Sequence, residues 1–491
     1  MKKVSFRTEQ DFLGVKEIPE DKLFGIHSLR ASENFPDTSS FNIEWYKCVG
    51  TVKKACYKTS ASFFKKIKKR ANIDKINIKH ISPDISEALI VSASEIESGM
   101  HFQDFIIPAV SGGAGTSINM NVNEIIANRS LQLINNVPGN YSVIDPVEHC
   151  NIFQSTNDVI PTALKLAGLK LLSSLEVSVN NLRFGIEKLE KKHATHLRKG
   201  YTQMQEAVPS SFGRLFGTYS DTLSRDWWRI SKCKERIKSV NLGGGAIGTG
   251  IGIPRFFIME VVQQLKELTG LPVTRAENLC DATNNLDSYV EIHGILKAHA
   301  VNLEKIVSDI RLLASDVNKT NEIEIPKKQT GSSIMPGKVN PVVVEYVISC
   351  AHKIYSNDSL VTSLCALGCL ELNAYLPVIG NALLESLNLL VGCNQTLEKN
   401  LIKGLKVNHT TALTDLFKSP SITVVLIPLI GYNYAGELSN YMKTNKCSVH
   451  DANKELQIMN PNKLENILKP ENLLKKGFVI NDILDLNDDK G

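Results

Sequence analysis

The amino-acid sequence predicts a mainly α-helical protein built around a bundle of long helices. Between residues 286 and 314, no proline occurs and apolar side chains recur at alternating steps of three and four. The positions in this row are Leu286, Tyr289, His293, Leu296, Ala300, Leu303, Val307, Ile310 and Ala314. This spacing places them on one face of a helix. A helix of this length spans about 40 Å, which requires partner helices along its apolar face.

A second long helix is expected after Pro161, because proline suits the first turn of a helix. Its apolar face would contain Leu164, Gly168, Leu171, Leu175, Leu182, Ile186 and Leu189. Strand signals are short and few, and they do not alternate with helical segments, so a doubly wound parallel sheet is not expected. The apolar stretch 360–392 also contains Glu371, Asn381 and Glu385. Because such groups are costly in a lipid bilayer, we expect a buried core helix there and no membrane partner.

Composition narrows the class of protein. The chain has 491 residues, a length typical of about three domains. Its net charge is +5 and its acidic and basic residues are interspersed, which argues against a nucleic-acid partner. The 10 cysteines contain no Cys-x-x-Cys pair, and the N-terminal residues lack the apolar core of a secretory signal. We therefore expect reduced thiols and a cytoplasmic location.

The segment Gly331–Pro341, GSSIMPGKVNP, combines two serines, a lysine and an asparagine with two glycines and two prolines. The glycines and prolines disfavour a regular helix, so we expect a loop that opens and closes over a carboxylate. A phosphate-binding loop is the alternative, but the Gly-Lys step lies one residue too far from the first glycine. Val339 also stands where a magnesium-binding Ser or Thr would be required. The nucleotide interpretation is therefore rejected.

This segment resembles the signature loop of the fumarase/aspartase superfamily, whose members eliminate a group beta to a carboxylate and usually release fumarate. Three further segments resemble other parts of that family's site: Gly112–Asn121, Gln154–Asp158 and Thr202–Pro209. The resemblance covers nearly the whole chain. It implies a mixed N-terminal domain (1–150), a central bundle of long helices (151–406) and a small C-terminal domain (407–491). It also implies a homotetramer whose active sites are shared between subunits, and no cofactor.

Removing a proton next to a carboxylate creates an enediolate, which is stabilised by preorganised hydrogen-bond donors in a dry site. Hydroxyl groups occur in all four segments, at Thr116, Ser117, Ser155, Thr156, Thr202, Ser332 and Ser333. Taken singly, each would be interpreted as a turn or helix-cap residue.

By resemblance, Ser332 is the general base, with Lys338 and loop amides stabilising its alkoxide. The carboxylate that becomes the enediolate is assigned to Thr116, Ser155, Thr156 and Ser333. The other carboxylate is assigned to Lys338, Asn340 and Thr202. Asn157 and Gln203 face the leaving group, and Arg30 is a candidate for closing the pocket.

The substrate is suggested by Gln203, where fumarases have histidine and several ammonia-releasing relatives have glutamine. A neutral amide accepts a hydrogen bond from an ammonium group without titrating near neutral pH. This favours a carbon–nitrogen lyase that converts L-aspartate to fumarate and ammonia by anti elimination. A class II fumarase acting on malate and a lyase acting on a substituted aspartate remain alternatives. The chain departs from the family pattern at Tyr201, at Ser111 and at 316–318, where Asp-Val-Asn replaces Gly-Pro-Arg.

Two other patterns are interpreted as structural. Residues 243–248, GGGAIG, satisfy the dinucleotide-binding pattern, but a charged helical segment precedes them and Pro254 follows. These glycines are expected to form a turn with a closely approaching neighbour. The pairs His149/Cys150 and His193/His196 have no convergent ligands in the sequence, so surface or structural roles are expected and no metal site is predicted.

Overall fold

The computed structural model of the chain describes residues 5–68, 78, 80–317 and 320–484. It confirms a mainly α-helical fold. In chain order the helices are α1 (Ile26–Asn34), α2 (Ile43–Ile67), α3 (Pro83–Glu97), α4 (Thr116–Leu133), α5 (Thr156–Lys192), α6 (Phe212–Ile237), α7 (Arg255–Thr269), α8 (Asp281–Asn284), α9 (Asp287–Leu313), α10 (Val342–Cys365), α11 (Leu376–Thr396), α12 (His409–Lys418), α13 (Ile427–Asn445), α14 (Val449–Leu456), α15 (Pro461–Ile467), α16 (Pro470–Leu473) and α17 (Ile480–Leu484).

The strands of the described residues form four two-stranded sheets, so the prediction of few strands is confirmed. The antiparallel pairs are β1 (Phe6–Asp11) with β2 (Gly14–Pro19), β3 (Leu197–Thr202) with β4 (Gln205–Ser211), and β7 (Ile323–Glu324) with β8 (Lys406–Val407). The remaining pair, β5 (Ser239–Val240) with β6 (Thr274–Arg275), is parallel.

The chain contains two compact units. Unit 1 comprises Met1–Glu176, Arg229–Ala298 and His352–Leu390, and unit 2 comprises Val177–Trp228, His299–Ala351 and Val391–Gly491. Helices α5, α6, α9, α10 and α11 therefore each contribute residues to both units. The division at 1–150, 151–406 and 407–491 stays a prediction.

The apolar row of α9 is buried as predicted. Leu296 and Val307 are fully buried, and Ile310 is the last buried residue of the row, because Ala314 lies beyond the helix end and is only half-buried. His293 also lies in this row and is completely buried. Its ring nitrogens are bonded to Asp358 (3.2 Å) and Ser386 (2.9 Å), so a polar side chain is accommodated in the row without an unpaired group.

The expected start of the second long helix is wrong. Helix α5 begins at Thr156, and Pro161 lies inside it. A proline at this position has no N–H to donate to the carbonyl of Asn157, four residues earlier. That carbonyl instead accepts a hydrogen bond of 2.8 Å from the Asn241 side chain. A tertiary contact thus replaces the missing helical bond.

The single buried helix expected for 360–392 is also wrong. The stretch contains the end of α10, an exposed turn and the start of α11. Asn373 stabilises the break because its amide donates to the carbonyls of Leu364 (3.0 Å) and Cys365 (3.2 Å). By length and apolarity alone, Leu376–Ile402 and Pro420–Asn445 could cross a membrane. The share of the apolar 18-residue stretch in each segment that is buried inside the protein is 61% for the first segment and 28% for the second.

Local sequence signals explain the packing of α2 against α3 in unit 1. The side chain of Asn42 accepts from the backbone N–H groups of Glu44 and Trp45, and Ser82 accepts from Ile85 at the start of α3. These are the short polar residues that favour helix N-caps. Gly50 permits close contact between the helices, since a Cβ there would lie 2.6 Å from the backbone nitrogen of Glu97.

The C-terminal helices of unit 2 share one apolar cluster, which contains Leu416, Ile422, Leu438, Met442, Val449 and Leu464 together with Leu197 of β3. The strand pair β3–β4 is therefore held by the C-terminal part of the chain.

The chain departs from the family pattern at 316–318. Asp316 and Val317 form a turn after α9, whereas Asn318 lies outside the described residues. The first four residues of the N-terminus also lie outside them.

Candidate active site

The first hydroxyl-rich segment leads into the N-terminus of α4 in unit 1. Gly113, Ala114 and Gly115 all have positive φ, at 79°, 57° and 92°. This conformation favours glycine and delivers Thr116 as the exposed first residue of the helix. No acidic side chain occupies the first turn, so its unpaired N–H groups and positive dipole end remain available to an anion.

The second segment starts α5. The Ser155 hydroxyl accepts from the backbone N–H of Asn157 (3.2 Å), and Asp158 accepts from the backbone N–H of Ser155 (3.0 Å). These two hydrogen bonds cap the N-terminus of α5 and fix the direction in which the helix begins. The Asn157 amide donates to the carbonyl of Ala246 (2.7 Å), which orients that side chain.

The structure brings these two segments together. The amide nitrogen of Asn119, on α4, donates to the Thr156 hydroxyl oxygen at 3.2 Å. A Cβ at Gly115 would lie 3.1 Å from Ile160, so α5 closely approaches the start of α4. Two helix N-termini that carry hydroxyl groups therefore adjoin each other in unit 1, an arrangement suited to a carboxylate.

Asp158 connects α5 to the glycine-rich turn. It is completely buried, and it accepts from the backbone N–H groups of Gly243 (3.2 Å) and Gly245 (3.0 Å). Burial raises the pKa of Asp158 to about 6, against the lowering effect of these donors. A Cβ at Gly248 would lie 2.4 Å from the backbone of Cys280. The prediction that these glycines permit a close backbone approach is confirmed.

The third segment forms the β3–β4 hairpin in unit 2. Thr202 pairs with Gln205, and the two residues between them, Gln203 and Met204, have positive φ of 52° and 63°. Two-residue hairpins favour this left-handed geometry but usually use Asn or Gly for it. The hairpin therefore holds strained non-glycine residues at its tip, where Thr202 and Gln203 are exposed.

Side chains in unit 2 support this hairpin. The Tyr201 hydroxyl donates to Glu322 at 2.6 Å, and Arg198 forms a buried ion pair with the same carboxylate at 2.8 Å. On the other strand, Ser419 donates to Glu206 at 2.6 Å. The family departure at Tyr201 thus has a structural role, because its hydroxyl completes the bonding of a buried carboxylate.

The fourth segment, 331–341, is a loop with no helix, as predicted. The backbone of Gly331 donates to the carbonyl of Lys338 (2.8 Å), and the Asn340 amide donates to the carbonyl of Gly331 (2.8 Å). A side chain at Gly331 would clash with Asn340, because its Cβ would lie 2.7 Å from that backbone nitrogen. Asn340 thus closes the loop at its base.

Within this loop, the Ser332 hydroxyl oxygen accepts two backbone N–H groups, from Ile334 (3.2 Å) and Met335 (2.9 Å). Donors directed at an oxygen favour its negatively charged form. Ser333 and Lys338 are exposed on the same loop, and Lys338 has no ion pair with any residue of the described chain. The loop therefore presents a hydroxyl held by two amides together with a cation.

The predicted site residues fall into two groups. Arg30, Thr116, Ser155, Thr156 and Asn157 belong to unit 1, whereas Thr202, Gln203, Ser332, Ser333, Lys338 and Asn340 belong to unit 2. Arg30 forms two 2.8 Å hydrogen bonds with Asp11 and a third bond with the carbonyl of Gly14. These bonds fix Arg30 to the β1–β2 hairpin.

Sequence reasoning missed the polar residues behind the first group. Lys53, Asn119 and Asn151 are linked by hydrogen bonds to Thr156, and Asp158 fixes the start of α5. A signal for Lys53 was present, because Val49, Cys56 and Tyr57 lie three or four residues away and predict an apolar helix face on which a lysine is unusual.

For metal binding, the described chain contains no group of three or more His, Cys, Asp and Glu side chains arranged to hold an ion. His193 is buried rather than on the surface, and its Nδ1 lies 2.8 Å from that of His196. The ring of His409 stacks on His196 with centroids 4.7 Å apart. The His149 side chain accepts from the backbone of Asp145 at 3.0 Å, which is a structural role.

Comparison with known proteins identifies the family. Residues 14–356 match a family model described as lyase. An aspartate ammonia-lyase from Bacillus subtilis is 35% identical over 482 residues, covering 98% of both chains. One from Helicobacter pylori is 36% identical over 469 residues, covering 95% of this chain and 98% of the relative.

Solved structures agree. A cobalt-bound structure named fumarate lyase:delta crystallin, from Brucella melitensis, superposes with a TM-score of 0.87 at 32% identity, covering 96% of this chain and 100% of that one. A class II fumarase from Schistosoma mansoni gives a TM-score of 0.85 at 26% identity, covering 95% and 98%. The chain belongs to the fumarase/aspartase superfamily of lyases.

Proposed function

We propose that this carbon–nitrogen lyase converts L-aspartate to fumarate and ammonia. The observation that carries the proposal is the loop 331–341, where two backbone amides are directed at the Ser332 hydroxyl and Lys338 lies on the same loop. The aspartate ammonia-lyase relatives, at 35–36% identity over nearly the whole chain, support the choice of substrate.

In the proposed reaction, the Ser332 alkoxide removes a proton from the carbon next to the distal carboxylate. The electron pair moves into that carboxylate and forms an enediolate. Thr116, Ser155, Thr156 and Ser333 donate hydrogen bonds to it, and the α4 and α5 N-termini add their positive dipole ends. The enediolate then collapses, the carbon–nitrogen bond breaks on the opposite face, and ammonia leaves.

The other residues hold the rest of the substrate. Lys338, Thr202 and Asn340 bind the second carboxylate; one N–H of the Asn340 amide is already used to close the loop. Gln203 and Asn157 face the amino group, and the Asn157 amide nitrogen is bonded to Ala246, which leaves its carbonyl oxygen to accept from the ammonium. Arg30 is the weakest assignment because Asp11 already binds it.

We also propose that the active enzyme is a homotetramer whose sites combine residues from different subunits. In unit 2, large apolar side chains are exposed on long helices: Val177 (61%) and Phe184 (48%) on α5, Trp228 (57%) on α6 and Val301 (50%) on α9. Val177 and Phe184 are seven residues apart and share a helix face. Exposed apolar surface of this kind is buried by association with further copies. A cytoplasmic location, with no membrane or nucleic-acid partner, stays part of the proposal.

The test of the activity is to follow the ultraviolet absorbance of fumarate with purified protein and either aspartate or malate. Release from aspartate alone supports the proposal. Release from malate alone identifies a class II fumarase, whose fold the chain shares. Failure with both would direct the search to substituted aspartates and would refute the proposed substrate.

The test of shared sites is to mix two inactive variants, Thr116→Ala and Ser332→Ala, under gentle unfolding and then to reassemble them. If the two residues of one site come from different chains, some sites in mixed tetramers receive neither substitution, and activity returns. Mixed tetramers that stay as inactive as the parent variants would refute the sharing of Thr116 and Ser332 between chains.

A further inference from the structure

Helix α2 buries a lysine completely. Lys53 is 0% exposed, and its helix neighbours Val49, Cys56 and Tyr57 are also buried. The adjacent Lys54 differs, because it reaches Glu97 at 2.9 Å and keeps 21% of its side chain exposed. Lysine is almost never fully buried without a partner. The contacts of Lys53 therefore indicate what its charge does.

A chain of hydrogen bonds leads from Lys53 to the start of α5. Its ammonium donates to the side-chain oxygen of Asn151 at 3.1 Å. That oxygen also accepts from the amide nitrogens of Asn119 at 3.0 Å and Asn123 at 3.3 Å. The Asn119 nitrogen then donates to the Thr156 hydroxyl oxygen at 3.2 Å. All of these residues belong to unit 1.

The donor and acceptor chemistry fixes which group donates and which accepts in each hydrogen bond between Lys53 and Thr156. An ammonium group only donates, so Asn151 must turn its oxygen toward Lys53. Asn119 must then turn its nitrogen toward Asn151, and its two N–H groups serve Asn151 and Thr156. The Thr156 oxygen accepts from Asn119, so its own proton is directed elsewhere.

We propose that Lys53 is a positioning residue. It fixes which groups donate and which accept along these hydrogen bonds, so that the Thr156 hydroxyl donates a hydrogen bond to the substrate carboxylate. The inference rests on the proposed function, in which Thr156 holds the carboxylate that becomes the enediolate. The Asn151 nitrogen also donates to the carbonyl of Gln154 at 3.1 Å. Without the ammonium, this is the bond that Asn151 gives up when it and Asn119 exchange oxygen and nitrogen. The Thr156 proton then turns inward to the Asn119 oxygen, and a donor to the enediolate is lost.

The charge of Lys53 depends on pH. Burial lowers the pKa of Lys53 to about 8, and the thiols of Cys56 and Cys150 and the carboxylate of Asp158 oppose this effect. Cys56 faces Lys53 from α2 itself, Cys150 from the segment before α5, and Asp158 from α5. Above this pH the neutral amine also accepts hydrogen bonds, so Lys53 no longer fixes the direction of these hydrogen bonds.

The experiment measures kcat and KM for aspartate in Lys53→Met, with Lys54→Met as the matched control on the next residue. Lys53→Met should lower kcat/KM by about tenfold or more, the effect of one hydrogen bond lost from the transition state. Lys54→Met should stay near wild type. Equal kinetics for wild type and Lys53→Met would overturn the inference.

A double-mutant cycle with Thr156→Val separates positioning from general stability. If Lys53 acts through Thr156, Lys53→Met should have little further effect on kcat/KM in the Thr156→Val background. The loss of activity with a pKa near 8 should also disappear from the pH profile of Lys53→Met. Fully multiplicative losses, or an unchanged alkaline limb, would overturn the inference. An inactive wild type would instead refute the proposed function.

If Lys53→Met does not fold, a second pair of variants decides. Asn119→Asp can only accept, so it draws the Thr156 proton inward. Asn123→Asp places the same charge on the other donor to Asn151 but does not contact Thr156 in the described structure. A loss of kcat/KM in Asn119→Asp, about tenfold greater than in Asn123→Asp, supports the inference. Equal losses contradict it.

Discussion

Replacing Ser332 with alanine separates catalysis from stability most clearly. The Ser332 oxygen accepts from the backbone N–H groups of Ile334 and Met335. A hydrogen bond to a charged group contributes about 1.5–3 kcal/mol, so the two together favour the alkoxide by about 3–6 kcal/mol when the loop excludes water. This range matches the contribution of a positioned base, about a hundredfold to ten-thousandfold in rate, or about 3–5 kcal/mol.

The same structure predicts little effect of Ser332→Ala on folding. Ile334 and Met335 are 84% and 47% exposed, so water replaces the hydroxyl at their N–H groups. The change in unfolding free energy should stay within about 0.5 kcal/mol, as for other exposed positions. We therefore expect kcat to fall by about a thousandfold, while the urea unfolding curve and the affinity for aspartate remain close to wild type.

The assay is fumarate absorbance over a range of aspartate concentrations. Thr330→Ala is the control, because it removes an exposed hydroxyl just outside the loop and should leave kcat near wild type. Near-normal turnover in Ser332→Ala would refute the base assignment. A large shift of the unfolding midpoint would refute the argument from exposure.

Three further predictions follow from other contacts. Lys338→Ala should raise KM for aspartate and lower kcat, because it removes the cation of the loop. An unchanged KM would make Arg30 the better candidate for binding this carboxylate. Asn241→Ala should lower the unfolding free energy by about 1–3 kcal/mol, measured by urea denaturation, because the part-buried carbonyl of Asn157 loses its donor; an unchanged midpoint would contradict this. Burial, with the charges of His196, Lys192 and His409, lowers the pKa of His193 to about 4. The folded state therefore binds this proton less readily than the unfolded state. Stability should be full above about pH 6.5 and decline toward pH 4, and His193→Asn should reduce that slope. The same slope in both proteins would remove His193 from this role.

Apolar periodicity alone predicted α9 correctly, because a long apolar row without proline is buried most simply as one face of a helix. It did not predict the start of α5 or the break in the helix within 360–392. At Pro161 the helix continues because Asn241, distant in sequence, supplies the missing hydrogen bond. At 360–392 the apolar composition concealed a turn that Asn373 stabilises.

The sequence by itself determined the helical class, the family resemblance and the loop nature of 331–341, because glycine, proline and apolar spacing act over a few neighbouring residues. Only the tertiary structure decided which oxygens accept and which nitrogens donate. The two amides at Ser332, the closing bond of Asn340 and the chain from Lys53 to Thr156 all depend on the positions of atoms in three dimensions. Hydrogen bonds are short and directional, so residues far apart in the chain must first be brought together before their roles are defined.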